Sequence, residues 1–141
     1  MSARFFALAL LALAALCGCG LQIAAPDLFL LRRSGPGGTV TLVVNDAGTI
    51  SCNRGRQQPI SSSQLIGARD LADELAPLAR RRLRLPSPAN SVYRYTVEMQ
   101  QGTIRFPDTA GARYPALAHA ELFDAQATAA FCPRRHGQVG R

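Results

Sequence analysis

The chain has 141 residues, of which 48% are hydrophobic, and a formal net charge of +7. This length suits one domain and is enough for a buried core. All sixteen basic residues are arginine. A positive charge is typical of proteins that bind nucleic acid or an anionic surface, and the export signal described next excludes nucleic acid as a partner.

The first residues have the pattern of an export signal. An apolar run over residues 5–16 follows Arg4, the one charged side chain before it. The run is too short to cross a hydrocarbon core of about 30 Å, which needs roughly 20 residues, and it has the length of a signal-peptide core. The alternative, a buried Ala/Leu-rich helix, is disfavoured because the run begins at the initiator methionine and has no polar face.

The segment Leu16-Cys17-Gly18-Cys19 resembles the lipobox of bacterial lipoproteins, here of the high-GC Gram-positive type. In that family a peptidase cuts before the cysteine, whose sulfur carries diacylglycerol. The resemblance implies that residues 1–18 are a removed signal peptide, that Cys19 is lipidated and that Leu16 and Gly18 belong to the lipobox. Residues 19–27 would tether the protein, with a charge near +6, to the outer face of the cell membrane. A cleaved signal without lipid is the alternative.

Two cysteines remain in the mature chain, Cys52 and Cys132. An even pair in an oxidising compartment predicts a disulfide. The alternative is a metal site formed by both cysteines and His136, which lacks a clear fourth ligand. We therefore predict no metal and no cofactor.

Strand and helix patterns alternate along residues 28–132, which we predict to form one domain, followed by a disordered tail at 133–141. Apolar or β-branched runs, separated by turn signals that are rich in Gly and Pro or read Asn-Asp-Ala-Gly and Gln-Gly, predict five strands. They cover residues 28–33, 39–45, 49–52, 92–100 and 103–106. Helical spacing predicts helices over 64–84 and 115–131, although Pro77 is expected to kink or split the first. The order β-β-β-α-β-β-α predicts an α+β fold, an antiparallel sheet of about four to five strands with two helices packed on it.

No catalytic constellation is recognisable, so we predict that the protein is not an enzyme. His119 has no partner motif for nucleophilic catalysis. Asp70 and Glu74 share one helix face, where the helix dipole suffices to explain them. The glycines of residues 35–38 lack the lysine and the following helix of a phosphate-binding loop.

Two segments are candidate partner-binding surfaces. One is an arginine cluster at the end of the first helix, suited to anionic lipid or an anionic envelope polymer; it comprises Arg80, Arg81, Arg82 and Arg84. The other is the turn that contains Ser34, Gly35, Gly37 and Gly38.

The order of these segments over residues 28–131 resembles emfourin-type proteins. The similarity lies in the turn at residues 34–38, the Leu-rich helix, the Leu85-Pro86 linker and the Tyr93-Arg94-Tyr95-Thr96-Val97 strand. Some members of that family inhibit thermolysin-like metalloproteases. The resemblance implies a non-enzymatic binding module, with a secreted protease as partner and the turn as the first surface to test. Pro36 and the cysteine pair depart from the family pattern.

Overall fold

A six-stranded antiparallel sheet is the framework of the structure, a computed structural model that describes residues 26–133. The strands lie in the order β4-β3-β2-β1-β5-β6. Their bounds are Asp27–Gly35 for β1, Gly38–Asn45 for β2, Thr49–Cys52 for β3, Gln58–Pro59 for β4, Arg94–Met99 for β5 and Gly102–Pro107 for β6. Two helices follow in the chain, α1 at Ser62–Arg80 and α2 at Pro115–Phe131.

The predicted α+β fold is confirmed, with one strand more than expected. The additional strand, β4, lies in the segment 53–59 that the sequence predicts as a polar loop. It pairs with β3 through only two residues, Gln58 and Pro59. A strand this short has no alternation to read from the sequence, so the predicted number of strands was too low.

Some predicted features lie outside the described residues. These are the lipobox residues Leu16 and Gly18, the lipidation site Cys19, and His136. No helix within residues 26–133 is both long and apolar enough to span a bilayer.

One face of the sheet packs on the helices and the other is open. In β1 the side chains of Phe29 and Leu31 are buried, whereas Leu30 and Arg32 lie on the open face and are half-buried. The alternation is the period of two that a strand with one buried face requires. The same register continues into β2 and β5, so the central strands contribute most of the core.

Helix α1 begins with a capping box. The Ser61 side chain accepts a hydrogen bond from the Gln64 backbone N–H, and the Gln64 side chain accepts one from the Ser61 backbone N–H. The helix continues through Pro77 without interruption and ends at Arg80. Pro77 therefore does not split the helix, and the expected helix end near Arg84 was wrong.

Helix α2 packs through small side chains. Leu117, Ala120 and Ala127 are buried, whereas Ala130 is exposed. The fourth buried residue is Asp124, a charged side chain with 0% exposure. An aspartate in a buried position cannot be anticipated from hydrophobic periodicity, because it breaks the apolar pattern on which that prediction depends.

The predicted disulfide is formed in the structure. Cys52 at the end of β3 and Cys132 directly after α2 are bonded, with a Cα–Cα distance of 5.3 Å. The Gln58 side chain also donates a hydrogen bond to the Phe131 carbonyl (2.9 Å). Both links attach the end of α2 to the β3–β4 side of the sheet.

The sheet has two distinct ends. At the first end β1 begins at Asp27, opposite Asn45, and the turn between β5 and β6 closes at Gly102. At the second end lies the β1–β2 turn, between Gly35 and Gly38. We call these the Asp27 end and the tip end.

The helices lie across the strands in opposite directions. At the beginning of α1, Arg69 forms an ion pair with Asp46, and at its other end the Ala79 carbonyl lies against Gly102. Both contacts place α1 at the Asp27 end. Helix α2 lies nearer the tip end, because Asp124 contacts Arg33 of β1 and Cys132 is bonded to Cys52.

Candidate functional site

The β1–β2 turn is an exposed, tightly formed hairpin tip. Pro36 and Gly37 occupy the two turn positions between the paired residues Gly35 and Gly38. Gly37 has a φ of 86°, so Pro followed by a left-handed residue matches the central positions of a type II turn. A Cβ added to Gly37 or Gly38 would meet no atom within 4 Å. The tip is therefore open to solvent and to a partner.

The base of the tip is held by an aromatic ring. A Cβ on Gly35 would lie 2.9 Å from the Tyr93 Cε1 atom and closer still to Cδ1, so only glycine fits against this ring. On β1 the Arg33 guanidinium lies over the same ring, 5.2 Å from its centroid. Tyr93 thus packs against two residues of β1. The sequence places Tyr93 in a strand, but its contact with the turn depends on the β1–β5 register, which the sequence did not reveal.

The segment that carries Tyr93 is fixed by a carboxylate. Asp108 accepts hydrogen bonds from the backbone N–H groups of Val92 and Tyr93, both to Oδ2, at 3.1 and 3.0 Å. Partial burial raises the pKa of the Asp108 carboxyl, but the hydrogen bonds, that from Tyr93 foremost, outweigh it and lower the pKa below its usual value. Val92 remains 54% exposed beside the tip. The tip surface therefore consists of a turn that is packed at its base and one exposed apolar side chain.

Beneath the tip lies a buried ion pair. Asp124 Oδ2 is 2.7 Å from Arg33 Nη1, and Asp124 Oδ1 accepts a longer hydrogen bond, 3.4 Å, from the Thr128 hydroxyl. The contact with Arg33 has the distance of an ion pair but not the alignment of a hydrogen bond. Burial raises the pKa of Asp124, with Arg33 and Thr128 opposing the increase. Arg33 thereby links the buried carboxylate of α2 to the ring that supports the tip.

Two further ionisable groups belong to this buried cluster. Burial, and then the nearby Asp124 and Glu121 carboxylates, raise the pKa of Tyr95 to about 12. Burial, and then Asp108, raise the pKa of Glu121 to about 7. Glu121 Oε1 is buried and has no hydrogen-bond partner among residues 26–133. Glu121 and Asp124 of α2 thus lie against the sheet as packed, partly or fully buried carboxyl groups. None of the residues in this cluster is a nucleophile paired with a base.

The predicted arginine cluster begins near Gly102, towards the Asp27 end of the sheet, and continues along the β6 edge. Its far part is level with Arg32, in the middle of β1. Arg80 ends α1, Arg81 caps it, and Arg82 adopts a left-handed φ of 50° that directs the chain back along β6. Arg84 then pairs with Arg105 of β6 in a parallel bridge. We call the set Arg80, Arg81, Arg82, Arg84 and Arg105 the basic edge.

The basic edge borders a cleft of about 390 Å³, lined by Arg82, Arg84 and Arg105 together with Leu83, Gly102 and Thr103. Arg84 and Arg105 share the open face of the sheet because directly paired residues point to the same side. Arg105 was missed by the sequence reasoning, because it reaches Arg84 only through a pairing between segments that are about 20 residues apart.

A third feature is a groove of about 420 Å³ between the helices. Its walls include the carboxylates Asp70 and Glu74, which share one face of α1 as predicted, and its floor is apolar. His119 of α2 contacts Glu74 across the groove, with 2.6 Å between Nδ1 and Oε2. Both side chains are exposed. The pair links α1 to α2, and within residues 26–133 neither side chain has a hydrogen bond to a serine or cysteine.

The described part of the chain holds no group of three His, Cys, Asp or Glu residues placed to bind a metal ion. Both cysteines of the alternative metal site are engaged in the disulfide. Comparisons with family models, curated proteins and solved structures gave no match. The site is therefore interpreted from its own geometry.

Proposed function

We propose that this protein is a lipid-anchored, non-enzymatic binding module of the cell envelope that binds a protein partner through its hairpin tip. The single observation that supports the tip as the binding surface is its combination of exposure and rigidity. A Cβ added to Gly37 or Gly38 would meet no atom within 4 Å, whereas one added to Gly35 would clash with the Tyr93 ring. A loop that is rigid before binding loses little conformational entropy when it binds, which favours affinity.

The partner that we propose first is a secreted thermolysin-like metalloprotease, following the resemblance to emfourin-type inhibitors. A rigid, protruding turn is a suitable shape for entering a protease cleft. The exposed Val92 beside the turn provides apolar area at the rim. In this proposal the tip inhibits the protease by occupying its surface, and the protein itself carries out no chemical step.

The test is inhibition of a thermolysin-like protease by the purified protein and by its Pro36→Asp variant. The first central position of a type II turn has a φ near −60°, which aspartate adopts without strain, so the fold should be preserved. We expect the variant to inhibit at least about 10-fold less well, because a charge at the tip costs about 1.4 kcal/mol or more in a desolvated contact.

The matched control is Gln101→Asp, which makes the same change of charge in the exposed turn at the Asp27 end. This variant should inhibit like the wild type. Equal inhibition by wild type and Pro36→Asp would reject the tip as the site. Absence of inhibition, together with no partner captured by the wild-type protein from envelope extract, would reject the binding-module proposal.

The anchor is tested separately. Growth with labelled palmitate should label the wild-type protein and leave Cys19→Ser unlabelled and released from the membrane. Two or more acyl chains hold a protein on a bilayer almost permanently, so the change in fractionation should be complete. Labelling of the Cys19→Ser variant would contradict lipidation at this residue.

The second candidate function is an envelope structural role in which the arginines bind an anionic polymer or lipid. The specific observation in its favour is that the structure adds Arg105 to the predicted cluster and forms a cleft between three arginines. Strong dependence of cell-wall binding on salt would support this function, because exposed charges are screened at high ionic strength. Binding that is insensitive to salt would contradict it.

A further inference from the structure

The open face of the sheet carries a line of polar side chains that crosses the strands. Arg32 of β1 is paired with Thr41 of β2 on one side and with Thr96 of β5 on the other. Thr96 is paired in turn with Arg105 of β6, and Arg105 with Arg84. Directly paired residues point to the same side of a sheet, so these side chains all lie on the face away from the helices. We call the set Thr41, Arg32, Thr96, Arg105 and Arg84 the transverse row.

The transverse row is short and dense in positive charge. Neighbouring strands are about 4.8 Å apart, so Arg105 lies about 10 Å from Arg32, and Arg84 about 5 Å further. Arg94 is on the same face, two residues along β5 from Thr96 and about 7 Å nearer the tip end. The four arginines therefore occupy an area of about 15 by 7 Å between the middle of the face and the tip end.

These arginines are available to a ligand. Arg84, Arg94 and Arg105 are exposed, and Arg32 is half-buried. Within residues 26–133 none of the four has an ion pair or a side-chain hydrogen bond. Arg84 and Arg105 also line the cleft of about 390 Å³ at the β6 edge. The face thus presents guanidinium donors that the described part of the domain does not use.

The carboxylates on this face do not cancel the charge. Among residues 26–133 the nearest acidic position is Glu98, two residues from Thr96 on β5 and towards the Asp27 end. Its side chain is exposed and has no ion pair within that range. Asp27 lies five residues before Arg32, about 16 Å along β1, and accepts a hydrogen bond from Asn45. One carboxylate beside four arginines leaves this part of the face positive.

The chemistry of the transverse row favours phosphate groups that repeat along a chain. A guanidinium presents its donors as a planar fork that matches the oxygens of a phosphate. The threonine hydroxyls between the arginines can donate hydrogen bonds to a polyol and accept them from it. A row on a sheet face is an open track, which suits an extended polymer. The large apolar side chains that are exposed among residues 26–133, Ile66, Val92 and Leu122, lie outside the row, so it offers little to insert into a bilayer.

We propose that the open face of the sheet binds a linear polyol-phosphate polymer of the cell envelope, laid across the strands along the transverse row. The inference rests on the second candidate function and adds the surface and the ligand class. The site is the sheet face centred on Arg32 and Arg105, rather than the arginines at the end of α1. The turn positions Pro36 and Gly37 lie beyond the last paired residues of β1 and β2, so the polymer and the protease would contact different residues.

The test measures the binding of fluorescently labelled poly(glycerol phosphate) to the full lipoprotein in nonionic detergent, by fluorescence anisotropy. Arg32→Gln combined with Arg105→Gln should weaken binding about 10-fold or more, because both charges lie in the row. The matched control, Arg69→Gln combined with Arg113→Gln, removes two charges from the helix side of the sheet. It should change the affinity by less than about 2-fold, because the exposed ion pair of Arg69 contributes little to stability.

Glu98→Gln should change the affinity in the opposite direction. It removes the nearest carboxylate on the face, and we expect binding to strengthen by about 2-fold or more because a repulsion between like charges is lost. Asp73→Asn makes the same change of charge at an exposed position of α1 and should have no effect. The effects of Glu98→Gln and of the Arg32 and Arg105 changes should decrease in about 0.5 M salt, where the Debye length falls to roughly 4 Å.

Equal weakening by the two double variants would show a general attraction of charges and would overturn the site. If Arg80→Gln with Arg81→Gln abolished binding while Arg32→Gln with Arg105→Gln kept it, the second candidate function would stand and the open-face site would be wrong. If the Cys19→Ser protein bound phosphatidylglycerol vesicles through Arg32 and Arg105 but did not bind the soluble polymer, the occupant would be a lipid surface and the polymer proposal would be wrong. Absence of polymer binding by the wild type at low salt would reject the polymer-binding role as a whole.

Discussion

At the scale of single residues, the most informative group is a carboxyl that folding holds in its neutral form. Burial and the neighbouring Asp108 raise the pKa of Glu121 to about 7 from a usual value of 4.5. The folded state therefore binds a proton that the unfolded state has released. Between about pH 4.5 and pH 7 this group makes the domain less stable as pH rises. Stability increases with pH only where the unfolded state binds more protons than the folded state.

We expect Glu121→Gln to increase stability at pH 8 and to have little effect at pH 4.5. Glu121 is partly exposed, so after allowing for solvent screening the gain is about 1 kcal/mol. Thermal unfolding followed at several pH values measures it. Glu98→Gln makes the same change of charge at an exposed position on β5 and is the control. A Glu121→Gln profile parallel to that of the wild type would contradict the raised pKa.

At the scale of elements, the sequence predicted those whose signal is local and repeated. Helix α1 follows from the spacing of Leu71, Leu75 and Leu78, and the β1–β2 hairpin follows from a turn motif between two apolar runs. Strand β4 has two residues and no such signal. The contact of Tyr93 with the hairpin tip required the β1–β5 register, which is set by the packing of the whole core.

The N-terminal cap of α1 allows a prediction at this scale. Ser61→Ala removes the acceptor for the Gln64 N–H and should reduce the free energy of unfolding by about 1 kcal/mol. Ser62→Ala changes an exposed neighbour that has no side-chain hydrogen bond within residues 26–133, and it should be nearly neutral. Denaturant unfolding of both variants gives the comparison. An equal effect of the two would mean that the cap does not stabilise the helix.

At the scale of the whole molecule, the disulfide joins the end of α2 to the sheet. Cys52 and Cys132 are 80 residues apart in sequence, so the bond restricts most of the unfolded chain. Replacing both cysteines by serine should reduce stability by up to about 4 kcal/mol, a value from the loop-entropy model. Chemical denaturation with and without a reductant measures the same quantity on the wild type, and equal midpoints would contradict it.

The sequence predicted this link because cysteine usage carries information that does not depend on the fold. In contrast, it did not predict Asp124 in the core or Arg105 beside Arg84. Both depend on residues that are distant in sequence and adjacent only after the sheet has formed. The candidate surfaces were therefore predicted as separate segments, and their places on the sheet are a finding of the structure: the turn forms the tip end, and Arg84 and Arg105 lie on the β6 edge level with Arg32.

The central position of β1 has a mechanical consequence. The chain enters this strand at Asp27, and the hairpin tip continues from its other end at Gly35. If a membrane anchor and a partner pulled on these two ends, the tension would pass lengthwise through β1. The strand is paired with β2 on one side and β5 on the other, and ladder hydrogen bonds lie perpendicular to the strands. Because β1 is continuous and already extended between these two ends, its covalent backbone would carry the load, and the ladder hydrogen bonds on either side would bear little of it.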